Sequence, residues 1–252
     1  VKNLEGKVAM VTGAKQGIGQ ALALSLAKAG ARIVASDITH PTETIAAIQA
    51  EGGFALGCEA DVTDNDSLQA SVAAAEAEFG PINILINNAG LFSTIELKPM
   101  LEITEEEFDQ VMRVNVRGLF QATKAVVPSM RRANGGSIIN IGSGTMHRGA
   151  PLFAHYVASK GAVFSLSRSM AREFAESGIR VNCITVGFTA SKGVLDHPEM
   201  MEKFSDYTIA ARMIKREMVP EDLSGTVVYL ASDASAFVTG QALNVDGGAV
   251  TY

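Results

Sequence analysis

Tryptophan is absent from the 252 residues, cysteine occurs twice and proline seven times, and no run of lysines or arginines offsets a formal net charge of −6. The few cysteines and the missing basic runs each exclude something. Cys58 and Cys183 lie far apart in apolar, strand-like contexts, so they read as reduced core residues; neither a disulfide framework nor a zinc site is expected, and no metal ligand is assigned. A sequence pI near 5.3 gives nucleic acid or an anionic membrane surface no basic face to bind. No apolar run approaches the roughly 18 residues that would cross a bilayer. The segment Val1–Lys7 lacks the apolar core of a signal peptide. A soluble cytoplasmic protein is expected, without nucleic acid or membrane as partner. What the chain has in quantity is hydrophobic residues, 47%, and 24 glycines, enough for one sizeable domain over 1–252.

The apolar residues come in short runs separated by helical patterns. Val8–Val11, Ala31–Ala35, Phe54–Glu59, Ile82–Ile86, Ser137–Ile141, Arg180–Val186 and Ala242–Val245 read as strands. Between them lie helices over 20–29, 42–51, 65–79, 104–127 and 153–176, with another from Pro220. Gly30, Gly52-Gly53 and Gly80-Pro81 act as stops, Asp64 as an N-cap, and Thr104 with Glu107 as a capping box. Regular alternation predicts an α/β fold: a Rossmann-type, doubly wound parallel sheet of about seven strands with helices on both faces. Ligands should then bind beyond the carboxyl ends of the strands. Gly187–Met218 has no strand character and carries Phe188, Met200, Met201, Phe204, Tyr207 and Met213, adaptable apolar residues suited either to a substrate lid over about 187–218 or to plain core packing.

Several polar residues fall at strand ends. Thr12-Gly13-Ala14-Lys15-Gln16-Gly17-Ile18-Gly19 joins the first strand to the first helix. Its glycines permit a sharp turn and close approach to a pyrophosphate, whose charge the helix N-terminus favours. Asp37 ends the second strand about 20 residues on, where a carboxylate accepts hydrogen bonds from an adenosine ribose and repels a 2′-phosphate. This favours NAD over NADP; Lys15 speaks weakly for the phosphate. Asn87 and Asn88, at the fourth strand's end, would either satisfy backbone groups or touch a cofactor. Asn115 inside a helix competes for backbone hydrogen bonds and marks a kink.

Tyr156 and Lys160 are four apart, so on a helix they share a face. A positive charge about 5 Å away, at an effective dielectric of about 20, favours a phenolate by roughly 3 kcal/mol, about two pKa units. Tyr156 could then exchange protons near neutral pH. The pair alone reads just as readily as an exposed pair on a solvated face; Ser143, between glycines at the end of the fifth strand, is either a plain turn residue or, one loop away from Tyr156, part of a site. His147 and His155 flank that loop and could bind a polar substituent, or simply pack.

Taken together these stretches resemble the short-chain dehydrogenases/reductases over essentially the whole chain: the 12–19 glycine stretch, Asp61-Val62, Asn87-Asn88-Ala89-Gly90, and Asn115, Ser143, Tyr156 and Lys160 in order. The resemblance implies a catalytic tetrad of Asn115, Ser143, Tyr156 and Lys160. It implies NAD held by Gly13, Gln16, Gly17, Ile18, Gly19, Asp37, Asp61, Val62, Asn88, Tyr156 and Lys160, with Gly187, Thr189 and Ser191 near the nicotinamide. One departure stands out: Val186 and Ser191 replace the family's usual proline and threonine, and loss of the proline is expected to free that backbone. The expected activity is NAD-dependent interconversion of a hydrophobic or aromatic secondary alcohol and its ketone, by a homotetramer. A 3-oxoacyl thioester (acyl carrier protein) reductase and a non-catalytic NAD-sensing or scaffold protein are the alternatives.

Overall fold

The computed structural model describes residues 3–251; Val1, Lys2 and Tyr252, the extremities of the two terminal segments, lie outside the described residues. Seven strands, β1 (Val8–Thr12), β2 (Arg32–Asp37), β3 (Ala55–Glu59), β4 (Ile84–Asn87), β5 (Gly136–Ser143), β6 (Ile179–Val186) and β7 (Ala242–Val245), form one sheet. Their order is β3-β2-β1-β4-β5-β6-β7, and every pair is parallel. The chain winds outward from β1 to β3, crosses back to β4 and winds the other way. The β1/β4 junction is thus the point where loops diverge and leave a crevice.

Both faces of the sheet are covered, which is why the strands are apolar runs and do not alternate with polar residues. Alternate side chains enter two separate cores. Val11, Ile33, Ile86 and Ile184 pack with Leu22 and Leu26 of α1 (Gly17–Lys28) and with Val227 and Leu230 of α10 (Ser224–Ala231). On the other face Met10, Val34, Leu85 and Val181 pack with α3 (Asn65–Phe79), α5 (Leu119–Arg132) and α7 (Ala154–Glu173). Cys58 and Cys183 are free and buried, as their apolar settings imply. Among the described residues no helix is long and apolar enough to cross a membrane, and no cluster of three His, Cys, Asp or Glu side chains could hold a metal ion.

The expected caps are in place. Asp64 accepts from the Asp66 N–H at 3.0 Å, and Thr104 and Glu107 form a reciprocal capping box at the start of α4 (Glu105–Met112). The kink expected at Asn115 takes the form of a π turn, Arg113–Gly118, between α4 and α5. Gly118 is required there: a Cβ would stand 2.6 Å from Val62 Cγ2, so only glycine lets this turn lean on the loop after β3. Several boundaries differ from the sequence reading: α1 begins at Gly17, β4 spans Ile84–Asn87, β5 spans Gly136–Ser143 and α5 runs on to Arg132. The helix from Pro220 begins as a 3₁₀ turn over 220–223 before α10, and α7 gives way to a 3₁₀ turn at 175–177. The lid segment holds two helices, α8 (Lys192–Leu195) and α9 (Pro198–Ala211), tied at its base by a single bridge between Thr189 and Met218.

Candidate active site

At the carboxyl ends of β1, β2, β4, β5 and β6 lies a cleft of about 1030 Å³. Its glycine wall is built by the turn into α1. Gly13 and Gly17 have φ of +64° and +60°, a region side chains avoid, and a Cβ on Gly19 would come within 2.0 Å of the Gly13 carbonyl oxygen. The N-terminus of α1 has no side-chain cap and no acidic residue in its first turn, so its amide N–H groups face the cleft unsatisfied by the chain. Asp37 accepts from the Lys15 N–H at 3.0 Å through one carboxylate oxygen, which locks the glycine turn to β2 and leaves acceptor capacity for a ribose. Asp61 and Val62 line the cleft beyond it, Asp61 held by an N–H from Thr63 at 2.7 Å. A glycine cradle, an uncapped helix start and a strand-end carboxylate fit a dinucleotide.

The two asparagines divide their work. Asn87 donates to Thr123 and Asn140 at 3.0 and 2.8 Å, tying β4 to α5 and β5. Asn88 borders the cleft, but its amide donates to the Thr12 and Gly13 carbonyls at 3.1 and 2.9 Å, so it shapes the glycine turn.

Ser143, Tyr156 and Lys160 line the same cleft and meet there, Ser143 hydrogen-bonded to Tyr156 and the Lys160 ammonium 5.6 Å from its ring centre. The Ser143 oxygen accepts from the Thr145 hydroxyl at 3.0 Å, leaving its own hydrogen for the Tyr156 oxygen or for an oxygen bound beside it. Asn115 is not in the cleft wall. Its side chain is buried behind, accepting from the Leu91 N–H at 2.7 Å and donating to the Leu91 carbonyl and Ser159 hydroxyl, both at 3.1 Å; Ser159 in turn donates to the Tyr156 carbonyl at 2.7 Å. Asn115 thereby fixes the Leu91-Phe92 loop against the turn of α7 that presents Tyr156.

The expected acidification of Tyr156 by Lys160 needs correction. The Lys160 ammonium is 5.6 Å from the phenol ring centre, but it donates to the Ile141 carbonyl at 2.8 Å. Burial pushes Tyr156 up to about 12, against a smaller opposing effect of its hydrogen bond with Ser143. Burial likewise pushes Lys160 down to about 8. Spacing on a helix is compatible with a solvated pair; the fold buries both groups, which lowers the local dielectric.

The other side of the cleft was only partly foreseen. Phe188 and Phe204 come from the lid, and Phe92 and Phe153 join them around Tyr156. Phe92 and Phe153 lie 4.9 and 5.8 Å from the Tyr156 ring, and Phe204 lies 6.0 Å from Phe153 and 5.7 Å from Phe188. Phe92 and Phe153 lacked any periodic signal; only their positions after the β4 end and before Tyr156 could have flagged them. His147 and His155 do not border the cleft. His147 meets Phe164 edge-on at 6.4 Å, and His155 is buried near Glu107 and Lys98, with burial lowering its pKa. Thr145 and Arg148 form the wall at that loop instead.

Gly187, Thr189 and Ser191 border the cleft as expected, and Ser191 faces Gly17 across it, 3.4 Å from where a Cβ on that glycine would lie. The backbone that loss of proline was expected to free is held on both sides. The Val186 carbonyl accepts from the Gly144 N–H and the Gly187 N–H donates to the Val245 carbonyl, each at 3.0 Å. Val186 simply continues the sheet ladder.

Comparison with known proteins agrees with this geometry. A family profile described as Enoyl-(Acyl carrier protein) reductase matches residues 13–250. The 2-dehydro-3-deoxy-D-gluconate 5-dehydrogenase of Escherichia coli (strain K12) is 40% identical over 98% of this chain and 96% of its own length. Two solved structures with provisional functional assignments superpose closely. One is a short-chain alcohol dehydrogenase from Sinorhizobium meliloti 1021, with TM-score 0.91 and 33% identity, covering 99% of this chain and 98% of that one. The other is a 2-deoxy-d-gluconate 3-dehydrogenase from Agrobacterium tumefaciens with bound NADP, with TM-score 0.88 and 34% identity, covering 98% and 97%. Since both the sheet and the relatives match from end to end, this chain belongs to the short-chain dehydrogenases/reductases, oxidoreductases that bind a nicotinamide cofactor.

Proposed function

We propose that the protein is an NAD-dependent dehydrogenase that interconverts a hydrophobic or aromatic secondary alcohol and its ketone. The observation that supports this most directly is the meeting of Ser143, Tyr156 and Lys160 beneath the wall of Phe92, Phe153, Phe188 and Phe204. In the oxidative direction the Tyr156 oxygen takes the alcohol proton, and Ser143 donates its hydrogen bond to the substrate oxygen. A bound nicotinamide supplies the hydride acceptor, and the positive charge of its oxidised ring favours the phenolate that burial alone opposes. Lys160 binds the nicotinamide ribose, and Asn115 is a positioning residue for the Tyr156 turn. The gluconate-type relatives act, by name, on polyhydroxy acids; the phenyl wall supports a less polar substrate body here.

The test is a panel of secondary alcohols offered with NAD or NADP, following reduced cofactor by absorbance. Turnover of aromatic or branched alcohols with NAD is the expected result. Tight dinucleotide binding without turnover of any alcohol would instead support a cofactor-sensing protein, and preference for NADPH with 3-oxoacyl thioesters would support the acyl-carrier reading.

For the cofactor, Asp37 at the end of β2 supports NAD, because a 2′-phosphate would meet its carboxylate. Asp37→Ala is expected to narrow the NAD/NADP ratio of kcat/KM by about tenfold or more; an unchanged ratio would remove Asp37 from the cofactor site. A homotetramer is also part of the reading: Phe108 on α4 and Phe120 on α5 stand 41% and 47% exposed on the long kinked helix. Sedimentation velocity should give a fourfold chain mass, and a monomer would discard it. The buried free thiols of Cys58 and Cys183 suit a reducing, cytoplasmic compartment.

A further inference from the structure

Arg148 is the last residue of α6 (Thr145–Arg148), a single turn that leaves β5 directly after Ser143. Gly149, at φ +63°, ends the turn with its N–H bonded to the Thr145 carbonyl at 2.9 Å, so the arginine's backbone is fixed. Its side chain borders the cleft and folds back toward the strand end: a methyl on Gly144, beside Ser143, would lie 4.0 Å from Arg148 Nη2. Yet Nη1 is buried and has no hydrogen-bond partner among the described residues. A buried guanidinium N–H without an acceptor is unfavourable, so the fold holds this donor in place at a loss.

The nearby carboxylate does not relieve it. Asp246 Oδ1 accepts from the Gly248 and Ala249 N–H groups at 3.0 and 3.1 Å, and Oδ2 from the Val250 N–H at 3.0 Å. A second guanidinium, that of buried Arg212, stands at the same corner, its N–H groups donated to the Arg216 and Phe188 carbonyls. From the lid, Lys203 of α9 also borders the cleft. The acidic residues of the cleft wall, Asp37 and Asp61, lie at the other end, by the glycine turn and the loop after β3. The charged side chains that line the substrate end are therefore cations, with Asp246 buried beside Arg148 and outside the lining, while the cofactor end bears the cleft's carboxylates.

We infer that the substrate carries a carboxylate and that Arg148 binds it, placing the reacting carbon against Ser143 and Tyr156. This deepens the dehydrogenase reading and rests on it for the identity of the reacting site. A planar guanidinium offers two parallel N–H groups to a carboxylate, a match neither an ester nor a ketone can make. The substrate is thus an apolar body with an anionic end, the phenyl wall receiving the first and Arg148 the second.

The inference is tested by binding, independently of turnover. Protein saturated with oxidised NAD is titrated calorimetrically with two ketone acids, levulinate and 4-acetylbenzoate, and with their methyl esters. In the wild type at least one acid should bind about tenfold tighter than its ester. In Arg148→Met that preference should fall to about one with ester affinity unchanged, and in Arg148→Lys part of it should remain. Equal affinity for acid and ester in both pairs, or a preference that survives in Arg148→Met, would overturn the assignment. Retained ester affinity shows that the Met variant is folded. Failure of the dehydrogenase reading looks different: the acid preference and its loss on mutation would persist while no alcohol reduces the cofactor.

Discussion

Tyr156→Phe is expected to lower kcat by about 10²–10⁴ while changing dinucleotide affinity by less than about threefold. The reason is that the substitution deletes one oxygen and little else. The ring keeps its contacts, 4.9 Å to Phe92 and 5.8 Å to Phe153, and the lost group is a buried hydroxyl engaged with Ser143. Stability should therefore move by no more than about 1 kcal/mol. Steady-state rates together with fluorescence titration of the reduced cofactor separate the two effects. A variant that turns over alcohol at the wild-type rate would end the proposal that this phenol handles the proton.

Lys160→Met should do something less intuitive: abolish activity and stabilise the fold. Burial holds the Lys160 amine at about 8 against an ordinary 10.5. Below pH 8 both folded and unfolded chains bind the proton, and the folded state bears the whole desolvation penalty. Between 8 and 10.5 the unfolded chain still binds it and the folded chain does not, so this group makes stability rise with pH across that window. Methionine has similar length and no charge, so the variant's advantage is greatest below pH 8 and shrinks toward 10.5. Its size at neutral pH is on the order of 2 kcal/mol, the penalty less the hydrogen bond to the Ile141 carbonyl. The thiol of Cys183, pushed up to about 11 by burial, is present in both proteins and largely cancels from the difference. Urea midpoints at pH 7 and pH 10 measure it. A variant less stable than wild type at pH 7, or an advantage that ignores pH, would show that the buried ammonium is not the costly group described.

Such a penalty is tolerated because position matters more at a functional site than local stability does. Tyr156 and Lys160 are held at fixed positions by α7, Ser143 by the end of β5, and the turn beneath Tyr156 by the relay from Leu91 through Asn115 and Ser159. The π turn at Arg113–Gly118 is part of the same arrangement, since it carries Asn115 inward while Gly118 rests on Val62.

Much of this was legible without coordinates because it follows from local rules. Seven strands announce themselves as short apolar runs, the helix ends by glycine and by Asp64 and Thr104, and the strand-end position of Gly13, Asp37, Asn88 and Ser143 by counting along the chain. A parallel sheet gathers all such ends on one edge, so order in sequence becomes proximity in space. What order could not supply was dielectric and direction. The phenol and amine share a face as their spacing requires, but only packing decides that the face is dry, and dryness reverses the pKa shift foreseen for Tyr156. In the loop after β5 the sequence pointed to His147 and not to its neighbour Arg148; the single turn of α6 and the left-handed Gly149 turn the arginine to the cleft and the histidine to Phe164. The sequence by itself determined which residues stand at the working edge of the sheet. The tertiary structure alone decided which of them face the cleft and how much water they keep, because burial and side-chain direction are set by elements distant in the chain.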